Sequence, residues 1–425
     1  MGDTAVMGVT RVEAEALDAD DMLASYRDKF VVADESVIYL DGNSLGRLPK
    51  ASAERVREVV EEDWGNHLIR SWTDRWIDLP SRIGDLIGTS LLGTGRDEVI
   101  VGDSTTVALY KVISACLDAR PDRRTIVIET GNFPTDRYVV ESLAVQRGLE
   151  IRWLDQTDAG GLSTTQVAAA LDRSVAVAVL SHVDYRSAAL LDMAGITAAV
   201  HDVGALMIWD LCHSVGCVPI DLHADGVDAA VGCTYKYLNG GPGAPAFTYV
   251  RRERQAELKQ PIWGWWSRQE MFDMAQGYQP SAGMRAWLTG TPGILSMAGL
   301  EPAVAMIAEA GIAPVRAKSM ALTELGVRLY DEWLAPRGFG LASPRDASRR
   351  GSHITVGHPD AKALTLQLVD KGVIPDFRQP DGIRLGLAPL TTRYVDVFDG
   401  LSVLADLLGA PMAVRPTGPR VNTPR

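Results

Sequence analysis

The amino-acid sequence predicts an α/β protein, with a large domain built on a mainly parallel sheet and a smaller α+β C-terminal domain after it. Three observations carry that prediction. Short runs that are apolar at nearly every position, among them VIV, TIVI, VAVAVL and ALMIW, alternate with stretches of helical periodicity as far as AFTYV. Strands covered by helices on both faces read in this way. Polar residues recur where those runs end, and ligands on such sheets gather beyond the strands' carboxyl ends. From Gly293 onward the alternation gives way to long helices and then two short strands, which marks the second domain.

A chain of 425 residues exceeds one typical core, so two structural units are expected. The formal net charge of −12 leaves no basic excess to release counterions, which argues against nucleic-acid or anionic-membrane partners. The four cysteines (Cys116, Cys212, Cys217, Cys233) lack zinc-site spacing and suit a reduced cytoplasm. No metal site is expected. The opening MGDTAVMGVTRVEAEALDADD has neither the basic nor the apolar region of a secretory signal, and no apolar run reaches the length of a membrane span.

Taken in order, residues 1–18 read as a flexible arm and 19–48 as a segment packing with the small domain. Asp20 to Phe30 reads as a short helix and Val37 to Leu40 as a strand. Asp41-Gly42-Asn43 is turn chemistry, and Ser44 after it suits a helix cap, an anion contact or a plain turn. The large domain is expected over 49–300. It opens with a helix from Ala51 to Trp64 and the aromatic-rich segment WGNHLIRSWTDRW. Trp64 and Trp76 read as core anchors there, whereas Asn66, His67 and Arg70 suit a cleft or a subunit contact. A helix from Arg82 to Leu92 leads to EVIVGDSTTVALYKV, a strand, turn and helix with Ser104, Thr105 and Thr106 where the helix begins. Free N–H groups and hydroxyls at that position make a phosphate cradle, and they are also the ordinary N-cap preference. TIVIETGNFPTDRY follows as a strand and a loop carrying Phe133 and Asp136, and VAVAVLSHVDYRS as a strand with Ser181 to Arg186 at its exit.

The central stretch runs from Ala205 to Gly243. One buried-strand run ends on Asp210 with His213 three residues on; a second, Val227 to Cys233, delivers Thr234-Tyr235-Lys236 and breaks into Asn239-Gly240-Gly241-Pro242-Gly243. A carboxylate and a lysine at consecutive strand ends beside glycine-rich turns is what pyridoxal 5′-phosphate (PLP) chemistry requires. The lysine must reach the cofactor aldehyde as a Schiff base, and the acid must hold the pyridine nitrogen protonated. Further on, Trp263, Trp265 and Trp266 in a glycine-punctuated loop read as core or interface, or as a ligand-pocket wall. The small domain is expected over 301–410. It holds strands at His353 to Val356 and Gly382 to Leu387, helices at Ala361 to Lys371 and Val395 to Leu408, and a disordered, proline-rich tail over 411–425.

Nine stretches in order, YLDGNSLGRLPK, WGNHLIRSW, GDSTTVALYKV, ETGNFPTDRY, LSHVDYR, WDLCHSVG, TYKYLNGGPG, GYQPSAGM and DGIRLGLAPL, resemble the kynureninases, fold-type-I PLP enzymes of the aminotransferase class V group. The resemblance spans roughly residues 36 to 395. It implies a homodimer with shared active sites acting on a small amino acid. The implied reaction is hydrolysis of the β–γ carbon–carbon bond of L-kynurenine or a ring-substituted kynurenine, as in tryptophan catabolism, giving an anthranilate and L-alanine.

The resemblance also implies residue roles. Lys236 would carry the cofactor and move protons, and Asp210 would pair with the pyridinium, helped by His213. Phe133 would stack on the ring, with Asp136 and Ser181 beside it. Thr105, Thr106 and Tyr235 would bind phosphate, Tyr235 also serving as a proton donor. Trp265 and Thr291 would reach the neighbouring subunit's site. Arg384 would grip the substrate carboxylate, with Ser44, Asn66 and His67 lining the pocket. Bland readings stand beside these: His213 as a core histidine, Tyr235 as a phosphate ligand only, Trp265 as interface packing.

Two departures from the family pattern are Ser187-Ala188, where Thr-Gly is usual, and Gly264-Trp265-Trp266-Ser267-Arg268, where Gly-Trp-Phe-Gly-His is usual. The second sets a fixed cation and a larger ring at Trp266 and Arg268, on the expected substrate side. That keeps open a ring-substituted kynurenine (3-hydroxy or methylated), another γ-keto amino acid of specialised metabolism, or a class V aminotransferase or epimerase. A cysteine desulfurase would need a loop cysteine in the C-terminal domain, and this chain has none beyond Cys233.

Overall fold

The computed structural model describes residues 8–156 and 159–408. In chain order its elements begin with α1 (Arg11–Ala19), β1 (Ile38–Tyr39), α2 (Lys50–Glu58), α3 (Leu79–Leu91), β2 (Val99–Val101), α4 (Thr105–Asp118), β3 (Thr125–Glu129), α5 (Pro134–Arg147) and β4 (Glu150–Leu154). The core then continues through α6 (Thr164–Ala169), β5 (Val175–Ser181), α7 (Met193–Asp202), β6 (Leu206–Asp210), β7 (Ala229–Gly232) and β8 (Phe247–Val250). Helices α8 (Ile294–Ala298), α9 (Leu300–Ala310) and α10 (Ile312–Leu329) follow. The C-terminal part holds β9 (Gly340–Leu341), β10 (His353–Gly357), α11 (Ala361–Asp370), β11 (Val373–Ile374), β12 (Asp376–Arg378), β13 (Gly382–Gly386) and α12 (Tyr394–Leu407).

The large sheet has the order β2-β8-β7-β6-β5-β3-β4, parallel from β7 through β4, with β8 antiparallel to both its neighbours. Its inner strands are apolar at nearly every position because both faces are covered, whereas the edge strand β4, EIRWL, leaves Glu150 exposed. Val177 and Val179 of β5 enter one core cluster, while Ala178 and Leu180 enter the other. Parallel register then aligns the strand ends. Ser181 pairs with Asp210 across β5 and β6, and Glu129 closes β3 on the same edge.

The second sheet is antiparallel, β12-β13-β10-β9, and shares its apolar cluster with α10, α11 and α12. Residues 11–18, expected within a loose arm, form most of α1 instead. Thr10 caps it, Asp18 accepts from the backbone N–H groups of Tyr394 and Val395 at 2.7 and 3.0 Å, and Ala14 is fully buried. The helix expected from Asp20 to Phe30 is a short 3₁₀ segment at Ala24–Lys29, tied by a buried Lys318–Asp21 pair at 2.6 Å. The single helix expected from Ala51 to Trp64 changes pitch after Glu58. His67 N–H reaches Glu62 at 2.9 Å, a five-residue closure, around a fully buried Asp63 carboxylate held by Arg55 and Arg75. Residues 1–7 of the expected arm and the 411–425 tail lie outside the described residues. Among the described residues no single helix is long and apolar enough to cross a membrane.

Candidate active site

Beyond the carboxyl ends of β3, β5 and β6 opens a cavity of about 520 Å³. Lys236 enters it from the turn after β7. Gly46 N–H bonds the Tyr235 carbonyl at 2.8 Å, Asn239 N–H bonds the Lys236 carbonyl at 2.9 Å, and the Thr234 hydroxyl bonds Pro245 at 2.6 Å. The turn is thus fixed on both sides. Lys236 Nζ lies 2.8 Å from His213 Nε2 and 5.7 Å from the centre of the Phe133 ring.

Asp210 ends β6 on the cavity floor, where its Oδ1 accepts from Cys212 N–H at 2.7 Å. Two more carboxyls lie near it, Asp136 in the cavity lining and Glu129 outside it. Asp136, in the first turn of α5, is raised well above its ordinary pKa by burial and then by Asp210 and Glu129. Burial also pushes Glu129 up to about 8, although its Oε1 accepts from Ser181 N–H at 2.8 Å. Glu129 therefore keeps its proton near neutrality, and Asp136 is pushed in the same direction. His213 moves the other way, its ring held neutral by burial and the adjacent Lys236.

The opposite wall is the start of α4. Ser104 caps the helix, which leaves the hydroxyls and N–H groups of Thr105 and Thr106 facing the cavity, and Thr291 lies across from them. Asp103, at φ 58°, anchors this corner by accepting from Lys111 Nζ at 2.6 Å and from the Thr289 hydroxyl at 3.0 Å. A helix N-terminus with free donors suits a phosphate. Phe133, Tyr235 and Ser181 complete the lining, with Tyr185 set edge-on to Phe133 at 5.3 Å. Burial raises the Tyr235 phenol, so it stays protonated and able to donate.

These residues fit the expected phosphorylated pyridine. Asp136 Oδ2 is a buried polar atom without a partner at the acidic end, and an anion cradle stands at the other.

The remaining expected residues lie outside this lining. Arg384, on β13 and 1% exposed, bonds the Tyr185 carbonyl, Ser44 Oγ and Asp376 Oδ2, each at 2.7 Å. Asp376 was not singled out from the sequence. It sits directly opposite Arg384 in the β12–β13 hairpin, and the spacing within DFRQPDGIR is the signal that locates it. Asp41, 3.8 Å from Arg384, is pushed up to about 6 by burial and by Asp376.

Trp266 is placed in the core rather than on a pocket wall. It is 1% exposed, with its ring against Trp72 at 5.1 Å, because Gly264 and the Thr289 backbone clamp its loop. Arg268 turns outward to the carbonyls of Glu270 and Gly277. Trp265 is partly exposed beside Trp266 and Phe272. Asn66 bonds Glu62 at 2.8 Å, and His67 stays on the same outer segment. The segment that carries Asn66 and His67 also lines an apolar groove through Trp64, Leu68 and Ile69, opposite Leu295, and this groove shares Thr291 and Pro292 with the cavity.

Comparison with known proteins gives a consistent picture. The family model described as the kynureninase C-terminal domain matches residues 315–404. Proteins named kynureninase from Pseudomonas fluorescens and Burkholderia mallei are each 43% identical over 406 residues, which is 94% of this chain and 95% of theirs. Among solved structures, C-DES with glycine covalently linked to its PLP cofactor superposes with a TM-score of 0.79 at 16% identity, covering 89% of this chain and 99% of that one. The apo cysteine desulfurase of Thermococcus onnurineus gives 0.75 at 18% identity, covering 95% and 100%. At such identities the two structures speak to the fold alone.

Proposed function

The chain belongs to the kynureninase family, and from that premise we propose that it hydrolyses the β–γ carbon–carbon bond of L-kynurenine or a ring-substituted kynurenine, giving an anthranilate and L-alanine. It is then a hydrolase acting on carbon–carbon bonds in ketonic substances. The observation that carries the reading is the convergence of Lys236, Asp210 and the α4 N-terminus on one cavity.

Bound here, PLP would supply an electron sink for a carbanion next to the substrate nitrogen. Asp210 would pair with the pyridine nitrogen, Thr105 and Thr106 would hold the phosphate, and Phe133 would cover the ring. Lys236 Nζ takes the proton from the substrate Cα, for which its fixed turn gives it a set direction. Tyr235, kept protonated by burial, donates to the departing Cβ. Overall, water gives its hydroxyl to Cγ and its proton to Cβ as the bond between them breaks. Arg384 receives the substrate α-carboxylate in exchange for part of its contact with Asp376, a planar guanidinium being able to serve two carboxylates.

A homodimer with shared sites is part of the same reading. The apolar groove continues from the cavity through Thr291 and Pro292, with Leu68 57% and Ile69 76% exposed on it. A second copy covering it would bring its own Asn66, His67 and Trp265 toward this cavity. The location proposed is cytoplasmic, which the four free, buried thiols support.

Release of fluorescent anthranilate from L-kynurenine by the PLP-loaded protein tests the reading, followed by 3-hydroxy- and ring-methylated kynurenines with product mass. Release is expected with at least one of them, and their rates rank the ring substituents. No anthranilate from any would overturn the assignment.

A further inference from the structure

His353 is fully buried on β10, and neither of its ring nitrogens makes a well-formed hydrogen bond, with the Tyr185 carbonyl alongside as the acceptor within reach. A buried imidazole without a well-formed hydrogen bond is costly, so its surroundings need an explanation. Strand register places it on one face with Thr355, beside Arg384 of β13. That face meets the Tyr185–Arg186 segment of the large domain. Thr355 Oγ1 donates to the Arg186 carbonyl, and Arg384 Nη1 donates to the Tyr185 carbonyl. The His353 ring lies 5.5 Å, centre to centre, from that of His213. His213 Nε2 touches Lys236, while its Nδ1 is buried without a partner. His213 lines the cavity; His353 stands behind it.

Proton bookkeeping connects these groups. An ammonium only donates, so a protonated Lys236 makes His213 Nε2 an acceptor. A neutral His213 then carries its hydrogen on Nδ1, where a buried N–H needs an acceptor. The facing ring of His353 has one lone pair to offer. Burial and the nearby Arg384, Lys236 and Arg378 cations hold that ring neutral, with the Tyr185 carbonyl alongside it as a hydrogen-bond acceptor.

We infer that His353 is a positioning residue that fixes the Nδ1–H tautomer of His213 through one bridging water, and so aims the acceptor nitrogen of His213 at Lys236. It thereby joins the small domain's arginine to the large domain's lysine through the shared Tyr185 carbonyl. The tautomer assignment stands on this geometry. Its kinetic consequence rests on the hydrolase reading above.

Nitrogen-15 histidine spectra of the full-length protein, recorded with and without PLP, test the tautomer, with His213 assigned by the signal lost in H213Q. An Nδ1–H ring is expected for His213 in the cofactor-free chain, and an Nε2–H ring would overturn the inference even if kynurenine is cleaved. For kinetics, H353F, which cannot accept, should lower kcat about 10-fold with KM changed less than about 2-fold, as losses of such supporting contacts do. H353Q, which can accept and donate, should restore most of kcat. Unchanged kcat in H353F, or equal impairment in both variants, would also overturn it. Should H353F fail to fold, the wild-type spectrum decides alone.

Discussion

Burial decides whether the Glu129 carboxyl carries its proton. Its unfolded carboxyl releases its proton near 4.5, whereas the folded one keeps it up to about 8. A raised folded pKa gives stability that is complete below the unfolded value and lost as pH rises through the folded one. Glu129→Gln keeps the acceptor for Ser181 N–H and removes the titration. Between pH 6.5 and 8 the wild type should lose about 2 kcal/mol of unfolding free energy relative to this variant. Urea midpoints across that interval check it, and parallel curves would show that Glu129 does not hold its proton. The interval avoids the opposite effect of His182. That ring's pKa is lowered to about 3 by burial, so its contribution is present above 6.5 and lost as pH falls toward 3.

At the scale of elements, the site depends on turns held at contact distance. A Cβ on Gly46 would lie 2.4 Å from the Lys236 carbonyl and 2.3 Å from Asn239 Oδ1, in the turn that carries Lys236. Gly46→Ala must therefore push the 41–46 turn and the lysine turn apart, at a cost of about 1–3 kcal/mol. A misplaced Nζ should also reduce kcat by about 10-fold or more. Gly340→Ala on β9, where a Cβ meets nothing within 4 Å, is the matched control and should be near neutral. Thermal unfolding and kynurenine turnover read both effects, and a fully active, equally stable Gly46→Ala would sink this account. The α4 corner follows the same logic, since Asp103 takes a left-handed backbone to reach Lys111 and Thr289 together.

For the whole molecule, the groove around Leu68 and Ile69 is the surface to perturb. The wild type is expected to sediment at twice the chain mass, and a Leu68→Asp, Ile69→Asp double variant to shift toward the monomer with loss of activity. A wild type that sediments as a fully active monomer would remove the shared-site proposal.

At this scale the division between sequence and structure is clear. The alternation of apolar runs and helical periods determined the parallel sheet, because strands buried on both faces leave no other pattern. The same runs pointed to Asp210, Lys236, Thr105 and Phe133, which line the cavity beyond the strand ends, where ligands on such sheets gather. Tertiary structure decided the rest. Burial decided the proton of Glu129 and pushed Asp136 the same way, and antiparallel register brought His353 of a distant strand beside Arg384. Packing against Trp72 took Trp266 into the core, although its neighbours in sequence resemble a pocket wall. Local pattern reports which way a side chain leaves its own element. What it meets there depends on residues hundreds of positions away.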